Sequence, residues 1–174
     1  MIQNQSKIMK SLLVIPTLNE IDGMKQVISK INHDWVDEIL IVDGGSIDGT
    51  IEEAKKQNIN VLMQTTKGSH GAAILDAFNS SDADYLLMFG ADGNNEPEEI
   101  PKMLSKIKEG YDQVINSRFS KTSKNDDAGL IDGFGNRMFT IFANLVFGGN
   151  LPDTLSSSRA ITRKAWDEIE MDEL

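Results

Sequence analysis

The chain has 174 residues, 40% of them hydrophobic, enough for one domain with a real core and too little for two. A formal charge of -10 leaves no basic stripe to replace the counterions of a nucleic acid, which excludes that partner, and makes a phosphate hard to hold unless a cation intervenes. With no cysteine, disulfides, zinc–thiolate sites and thiol nucleophiles are excluded. Residues 1–10 are polar and read as an N-terminal tail without a signal-peptide core. No apolar run approaches the ~18 residues of a membrane span, so the expectation is one cytoplasmic domain over residues 11–174.

In chain order, Ser11-Leu12-Leu13-Val14-Ile15 is a continuous apolar run ended by Pro16, the pattern of a buried central strand. After the loop Thr17-Leu18-Asn19-Glu20, apolar residues recur at Ile21, Met24, Val27, Ile28 and Ile31, one face of a helix. The grammar repeats with the strand Ile39–Val42, the turn Asp43-Gly44-Gly45-Ser46-Ile47-Asp48-Gly49 and a helix from Thr50 to Gln57. Thr50 and Glu53 have capping-box spacing there, and Asp48 is the alternative N-cap. A third unit runs from Val61-Leu62-Met63 through Lys67-Gly68-Ser69-His70-Gly71 into a helix over about 72–79.

The run Tyr85-Leu86-Leu87-Met88-Phe89 stops at Gly90-Ala91-Asp92-Gly93, which places Asp92 at a strand tip, either as a turn residue or as a ligand contact. Gly90 and Gly93 are read as the residues that let the backbone turn there. Acidic residues beside Pro97 mark the start of a helix that buries Ile100, Met103, Leu104 and Ile107, with Gly110 as its C-terminal cap. Val114-Ile115 begins a short strand that ends at Asn116-Ser117-Arg118. This alternation predicts an α/β fold, a mainly parallel sheet with helices on both faces.

Residues 120–132 are polar and read as a surface loop. From Gly133 to Gly148, Phe134, Met138, Phe139, Ile141, Phe142, Leu145, Val146 and Phe147 leave only a strip of Asn136, Thr140 and Asn144. A helix of that kind is either buried, the expectation here, or lies against an apolar partner. Leu155 to Thr162 reads as a strand, followed by a short acidic helix. His70 reads as a solvated loop histidine or a phosphate contact. The Met residues read as core filler, and Trp35 and Trp166 as packing anchors.

Three loops then leave strand ends on one edge, at Pro16–Glu20, Asp43–Gly49 and Gly90–Asn94, and each carries an acid. Gathered carboxylates repel, and a divalent cation or a ligand's hydroxyl and N–H groups relieve that repulsion. Neither Gly-x-x-x-x-Gly-Lys-Ser/Thr nor Gly-x-Gly-x-x-Gly occurs, so triphosphatase and dinucleotide readings lose their support. A nucleotidyltransferase is disfavoured because the glycine-rich loop with Arg and Lys is missing after the first strand.

Val14-Ile15-Pro16-Thr17-Leu18-Asn19-Glu20, Ile41-Val42-Asp43-Gly44-Gly45-Ser46-Ile47-Asp48-Gly49-Thr50 and Gly90-Ala91-Asp92-Gly93, in that order and spacing, resemble glycosyltransferase family 2. Asn116-Ser117-Arg118-Phe119 and Asp153-Thr154-Leu155-Ser156-Ser157-Ser158-Arg159 resemble motifs of its dolichyl- or polyprenyl-phosphate mannose or glucose synthase branch, and the likeness runs from Ser11 to about Trp166. The resemblance implies a GT-A fold, a UDP- or GDP-linked sugar donor, Mg2+ or Mn2+, and inversion at the anomeric carbon. It also implies a lipid-phosphate acceptor at the inner membrane face, with the 133–148 helix near it. Carried over by position, Pro16, Thr17, Asn19 and Glu20 contact the nucleoside, Asp43 accepts from the base with Gly45 beside it, and Asp92 ligates the metal with Ala91 beside it. Arg118, Arg137, Arg159 and, more loosely, Lys67 contact phosphate. Asp92, Arg118 and Asp153 are the catalytic candidates. Asp153 would act as base toward a hydroxyl acceptor, its other reading being a loop or strand-start residue.

Three departures stand beside the resemblance: Gly90 replaces the first acid of the family's Asp-x-Asp, Ser157 and Ser158 replace Gly and Phe, and the sequence stops at Leu174. The first leaves two functional readings: an inverting hexosyltransferase, or a nucleotide-sugar-binding module with weak or no catalysis.

Overall fold

The computed structural model describes residues 9–93, 95–117, 130–154 and 156–169; Arg118, Phe119, most of the 120–132 loop and nearly all of the N-terminal tail lie outside them. The apolar runs become strands β1 (Ser11–Thr17), β2 (Glu38–Asp43), β3 (Asn60–Met63) and β4 (Tyr85–Met88), all parallel. β6 (Arg159–Thr162) runs antiparallel to β4, and β5 (Gln113–Ile115) antiparallel to β6, giving the order β3-β2-β1-β4-β6-β5. Pro16 is tolerated inside β1 because pairing with β4 has already ended at Val14–Met88.

Alternation along the strands sorts two core layers. Leu13 and Ile15 of β1 join the layer holding residues of α1 (Ile21–Val27), α2 (Thr50–Lys56) and α4 (Glu99–Lys108). Leu12 and Val14 join the layer of α3 (His70–Asn79) and α6 (Arg163–Glu168), where the Phe78 and Trp166 rings meet edge to face 4.5 Å apart. Arg163 ties α6 to the approach of β4, donating to the carbonyls of Phe78 at 2.9 Å, Ser81 at 2.8 Å and Ala83 at 3.2 Å.

Boundaries move where side chains compete for the backbone. α1 gives way at Ile28 to a 3-10 turn that ends at Lys30. α3 starts at His70, earlier than its apolar pattern, because Ser69 caps it by accepting from the Ala72 N–H at 3.2 Å. At α2, the capping box does not form: Gly49 occupies the cap position, Asp48 accepts from the Thr50 N–H and hydroxyl, and Glu53 accepts from Gln57. β6 begins only at Arg159, since the Ser156 hydroxyl donates to the Asn116 carbonyl at 2.6 Å and accepts from the Ser158 N–H.

The expectation of a buried apolar helix is overturned. α5 (Leu130–Phe147) turns its polar strip inward: Thr140 is buried and its hydroxyl pairs with that of Thr154 at 3.0 Å, while Asn144 exchanges two 2.9 Å hydrogen bonds with the backbone of Leu151. Met138, Phe139, Ile141, Phe142, Leu145, Val146 and Phe147 are exposed, Leu145 by 82% and Phe147 by 84%. Thr140 and Asn144 find partners in the domain and these seven apolar side chains face out, while the side chains of Phe134 and Asn136 lie outside what is described. Among the described residues no helix is long and apolar enough to cross a membrane.

One contact fixes the exit of β4. A Cβ at Gly23 of α1 would lie 1.9 Å from the Ala91 carbonyl oxygen, so only glycine lets the helix lie against the backbone beside Asp92. Gly23→Ala is therefore expected to cost about 1–3 kcal/mol by overpacking, despite alanine's better helix propensity. A urea midpoint equal to or above wild type would contradict this close approach.

Candidate functional site

A cleft of about 210 Å3 opens at the carboxyl ends of the parallel strands, lined by residues that include Pro16, Thr17, Glu20, Gln64, Ser69 and His70. That edge is where open α/β sheets bind ligands. A second cleft of about 210 Å3, between His33 and Asn60, lies at the opposite edge, where β2 and β3 begin.

The loop after β1, which lines the first cleft through Thr17, Leu18 and Glu20, is locked to the loop after β2. Asp43 is fully buried; its Oδ1 accepts from the Gly45 N–H at 2.8 Å and the Ser46 N–H at 2.7 Å, its Oδ2 from the Thr17 hydroxyl at 2.9 Å and the Ser46 hydroxyl at 2.6 Å. Burial pushes this carboxyl up, but the hydrogen bonds from Ser46, Gly45 and Thr17 together outweigh it and hold it below the ordinary carboxylate value. The Ser46 hydroxyl also accepts from the Asn19 N–H at 2.8 Å, and Asn19 returns the contact by accepting from the Ile47 N–H at 3.0 Å, held in the left-handed region at φ 56. Asp48 accepts from the Ile21 N–H and Thr50 from the Glu20 N–H, both at 3.0 Å, so the second loop caps the start of α1.

The resemblance gives Asp43 a contact to the base; in this structure its donors come from the two loops. Four donors fill the roughly four acceptor directions of a carboxylate, so in this state it holds the loops and offers nothing to a base N–H. The carboxylate that meets Asp92 electrostatically is Glu20: burial, then the charges of Asp92 and Asp48, raise it above the ordinary value. Asp92 itself is exposed, and Ala91 is buried against Gly23.

Gly90 differs from its expected role as a turn residue. Gly93 turns the chain at φ 80, whereas Gly90 lies outside the left-handed region. What surrounds Gly90 is polar: a Cβ there would lie 3.1 Å from Ser157 Oγ, 3.3 Å from Asn95 Nδ2 and 3.5 Å from Asp92 Oδ1.

Basic groups border the same edge of the sheet. Lys67 extends along Gly45, whose Cβ would meet its Nζ at 3.6 Å, and Gly45 itself needs its φ of 103. His70 opens α3 at the cleft; burial, then Arg159, keep its imidazole below the usual histidine value. Arg159 donates to the carbonyls of Ser156 and Thr154; burial lowers it, and the Asp153 carboxylate works in the opposite direction. Asp153, the candidate base toward a hydroxyl acceptor, is fully buried, and its charge acts on Arg159. Arg137 is exposed on α5.

Residues 12–170 match the family described as Glycosyl transferase family 2. The chain belongs to that family. It is 34% identical over 155 residues to Glycosyltransferase AglJ of Haloferax volcanii, covering 88% of this chain and 50% of the relative. It is 26% identical over 178 residues to Polyprenol monophosphomannose synthase of Mycolicibacterium smegmatis, covering 93% and 65%. A Dolichol-phosphate mannosyltransferase of Pyrococcus furiosus is 32% identical over 123 residues, 67% of this chain and 35% of that one. The chain thus spans about a third to two thirds of these relatives. Glucosyl-3-phosphoglycerate synthase from Mycobacterium tuberculosis, in a complex with Mn2+, UDP and glucosyl-3-phosphoglycerate, shares the GT-A fold at a TM-score of 0.72 and 20% identity, covering 90% of this chain and 57% of that one.

Several members of this family 2 site escaped sequence reasoning. Gly23 carried a signal, a glycine inside an amphipathic helix. Ser46 and Asp48 stood in the quoted loop motif with no role beyond the cap reading of Asp48, Ser157 stood only as a departure from the motif, and Asn95 carried no signal, since small polar residues in loops are ordinary. The site's pH dependence is testable. Because the folded Asp43 pKa lies below the unfolded one, its stabilisation is full above the unfolded carboxylate value and is lost as pH falls through the folded value. Asp43→Asn is expected to cost about 1–3 kcal/mol at pH 7 and to flatten the acid limb of stability. An acid limb parallel to wild type would contradict it.

Proposed function

We propose that the chain is the nucleotide-binding and catalytic domain of an inverting hexosyltransferase, taking its sugar from a nucleotide diphosphate and passing it to a lipid phosphate. The observation that carries this reading is the cleft at the carboxyl ends of the strands, lined by Thr17, Leu18 and Glu20 of a loop clasped to Gly44–Asp48, with the charge of Asp92 acting on Glu20. Two carboxylates that repel each other beside a ligand-sized cleft suit a hard divalent cation. Among the described residues no group of three or more His, Cys, Asp or Glu gathers, so diphosphate and water would complete the shell, as Mg2+ commonly permits. Asp92 is the residue to hold such an ion, Mg2+ or Mn2+, with Glu20 facing it; when bound, it would neutralise charge developing on the leaving diphosphate.

The chain's own residues do the rest. The loop wall presents Thr17, Asn19 and Gly45 to the nucleoside, and Lys67, His70 and Arg159 form the basic side toward phosphate; Arg118 and Arg137 are further candidates for phosphate contact. The acceptor oxygen attacks the anomeric carbon, and the bond to the donor diphosphate breaks with its electron pair leaving on the nucleoside diphosphate. A phosphate oxygen is already ionised near neutral pH and needs no general base, which agrees with Asp153 being closed to solvent.

The outward apolar face of α5 supports a lipid-borne acceptor and a peripheral place at a membrane surface. The names of the mannose-transferring relatives point to the same acceptor class.

Calorimetry with UDP and GDP, with and without Mn2+, paired with transfer of labelled hexose to polyprenyl phosphate, tests this reading. Metal-enhanced nucleotide binding with transfer is the expected result; metal-indifferent binding without turnover would make the chain a binding module. Asp92→Asn is expected to abolish the Mn2+ enhancement, about tenfold or more in Kd, with the melting temperature within about 2 °C of wild type. Equal loss of fold and binding would instead make Asp92 a turn residue.

A further inference from the structure

His70 is one of two histidines in the chain, and it lines the cleft at the carboxyl ends of the strands while His33 lines the opposite one. It is the first residue of the ten-residue α3, stays exposed, and shares the cleft lining with Gly68, Ser69, Thr17 and Glu20. The Ser69 hydroxyl and carbonyl accept from the Ala72 and Ala73 N–H groups. Ser69 thus serves the helix, and His70 is the side chain of this turn that a ligand in the cleft can meet.

Three features of its place disfavour the imidazolium when no anion lies beside it. Partial burial strips water from the ring, the Arg159 guanidinium repels it, and the positive end of the α3 dipole falls on it. The charged groups of other elements at this corner are Arg159 of β6, on which Asp153 acts in turn, Lys67 of the preceding loop, and Glu20, which feels Asp92 and Asp48. Asp76, on α3 itself, is engaged by the Thr65 N–H at 2.7 Å and hydroxyl at 2.8 Å.

We propose that His70 is a proton-coupled phosphate contact, neutral on its own and converted to imidazolium as a diphosphate settles beside it and Arg159. The inference rests on the donor reading above. The anion offsets the field of Arg159, opposes the positive end of α3 and pairs with the imidazolium, so two of the three penalties reverse on binding. The proton comes from solvent onto the unprotonated ring nitrogen, and no covalent bond of ligand or chain breaks. The complex then holds one more proton than its separated parts. Affinity therefore rises as pH falls through the histidine range and levels off once the free protein is protonated as well, and the ligand tightens proton binding by the same factor.

Proton NMR of the two imidazoles in the full chain reads this directly, with His33 as internal reference and His70→Gln to assign the signals. The probes are UDP-glucose and GDP-mannose, whose phosphates are all esterified and do not titrate near neutrality, and inorganic pyrophosphate, at constant Mg2+. At saturation the His70 midpoint is expected to move to higher pH while that of His33 stays. Wild type is expected to bind sugar nucleotide about tenfold more tightly at about pH 6 than at about pH 8, and His70→Gln, melting with wild type, to lose most of that dependence. A His70 midpoint that stays or falls at saturation overturns the proposal, as does a loss of affinity in His70→Gln that is equal at both pH values. Sugar nucleotide bound with the midpoint unmoved removes the proton-coupled contact and leaves the donor reading. Pyrophosphate moving the midpoint while neither sugar nucleotide binds removes the donor reading and leaves the contact, and binding of none of the three removes both.

Discussion

The cleft depends on one buried carboxylate. Asp43 ends β2 in register with Thr17 at the end of β1, and its two oxygens collect donors from both loops that leave those strands. A buried charge is tolerated only when its hydrogen-bonding capacity is filled, and filling it forces the loops into one rigid wall. Through Ser46, Asn19, Asp48 and Thr50 the same arrangement sets the first turn of α1, and with it Glu20.

From there the site follows by contact. α1 carries Gly23, Gly23 admits the Ala91 carbonyl, and that approach brings Asp92 into the field of Glu20. Repulsion between two acids raises Glu20 in the ligand-free state, and a cation bound there would relieve it. The chain departs from its family at Gly90, where neutral side chains border the place of an acid.

Much of the fold was legible in the sequence because its signals are local. Short continuous apolar runs such as Leu12–Ile15 and Leu86–Met88, bounded by turn signals, read as strands buried on both faces, and the spacing of Ile100, Met103, Leu104 and Ile107 covers one side of a helix. The outward turn of α5 was not legible, because it depends on where Thr140 and Asn144 find partners, in Thr154 and Leu151, and not on how apolar the helix is. The same holds within the site. Sequence spacing placed Asp43 and Asp92 on one edge but could not tell an acid turned inward from one turned out. The acid that couples to Asp92, Glu20, is positioned by backbone contacts to residues about thirty positions away.

On this reading the carboxyl-terminal cleft, beside the loops that Asp43 locks together, receives a nucleoside diphosphate. Amide chemical-shift mapping during titration with UDP and Mg2+ tests it most directly. The account predicts shifts concentrated at Thr17–Glu20, Gly44–Ser46, Gly68–His70 and Asp92. Shifts concentrated instead at the opposite cleft, around Asp37–Ile39 and Asn58–Asn60, would contradict it.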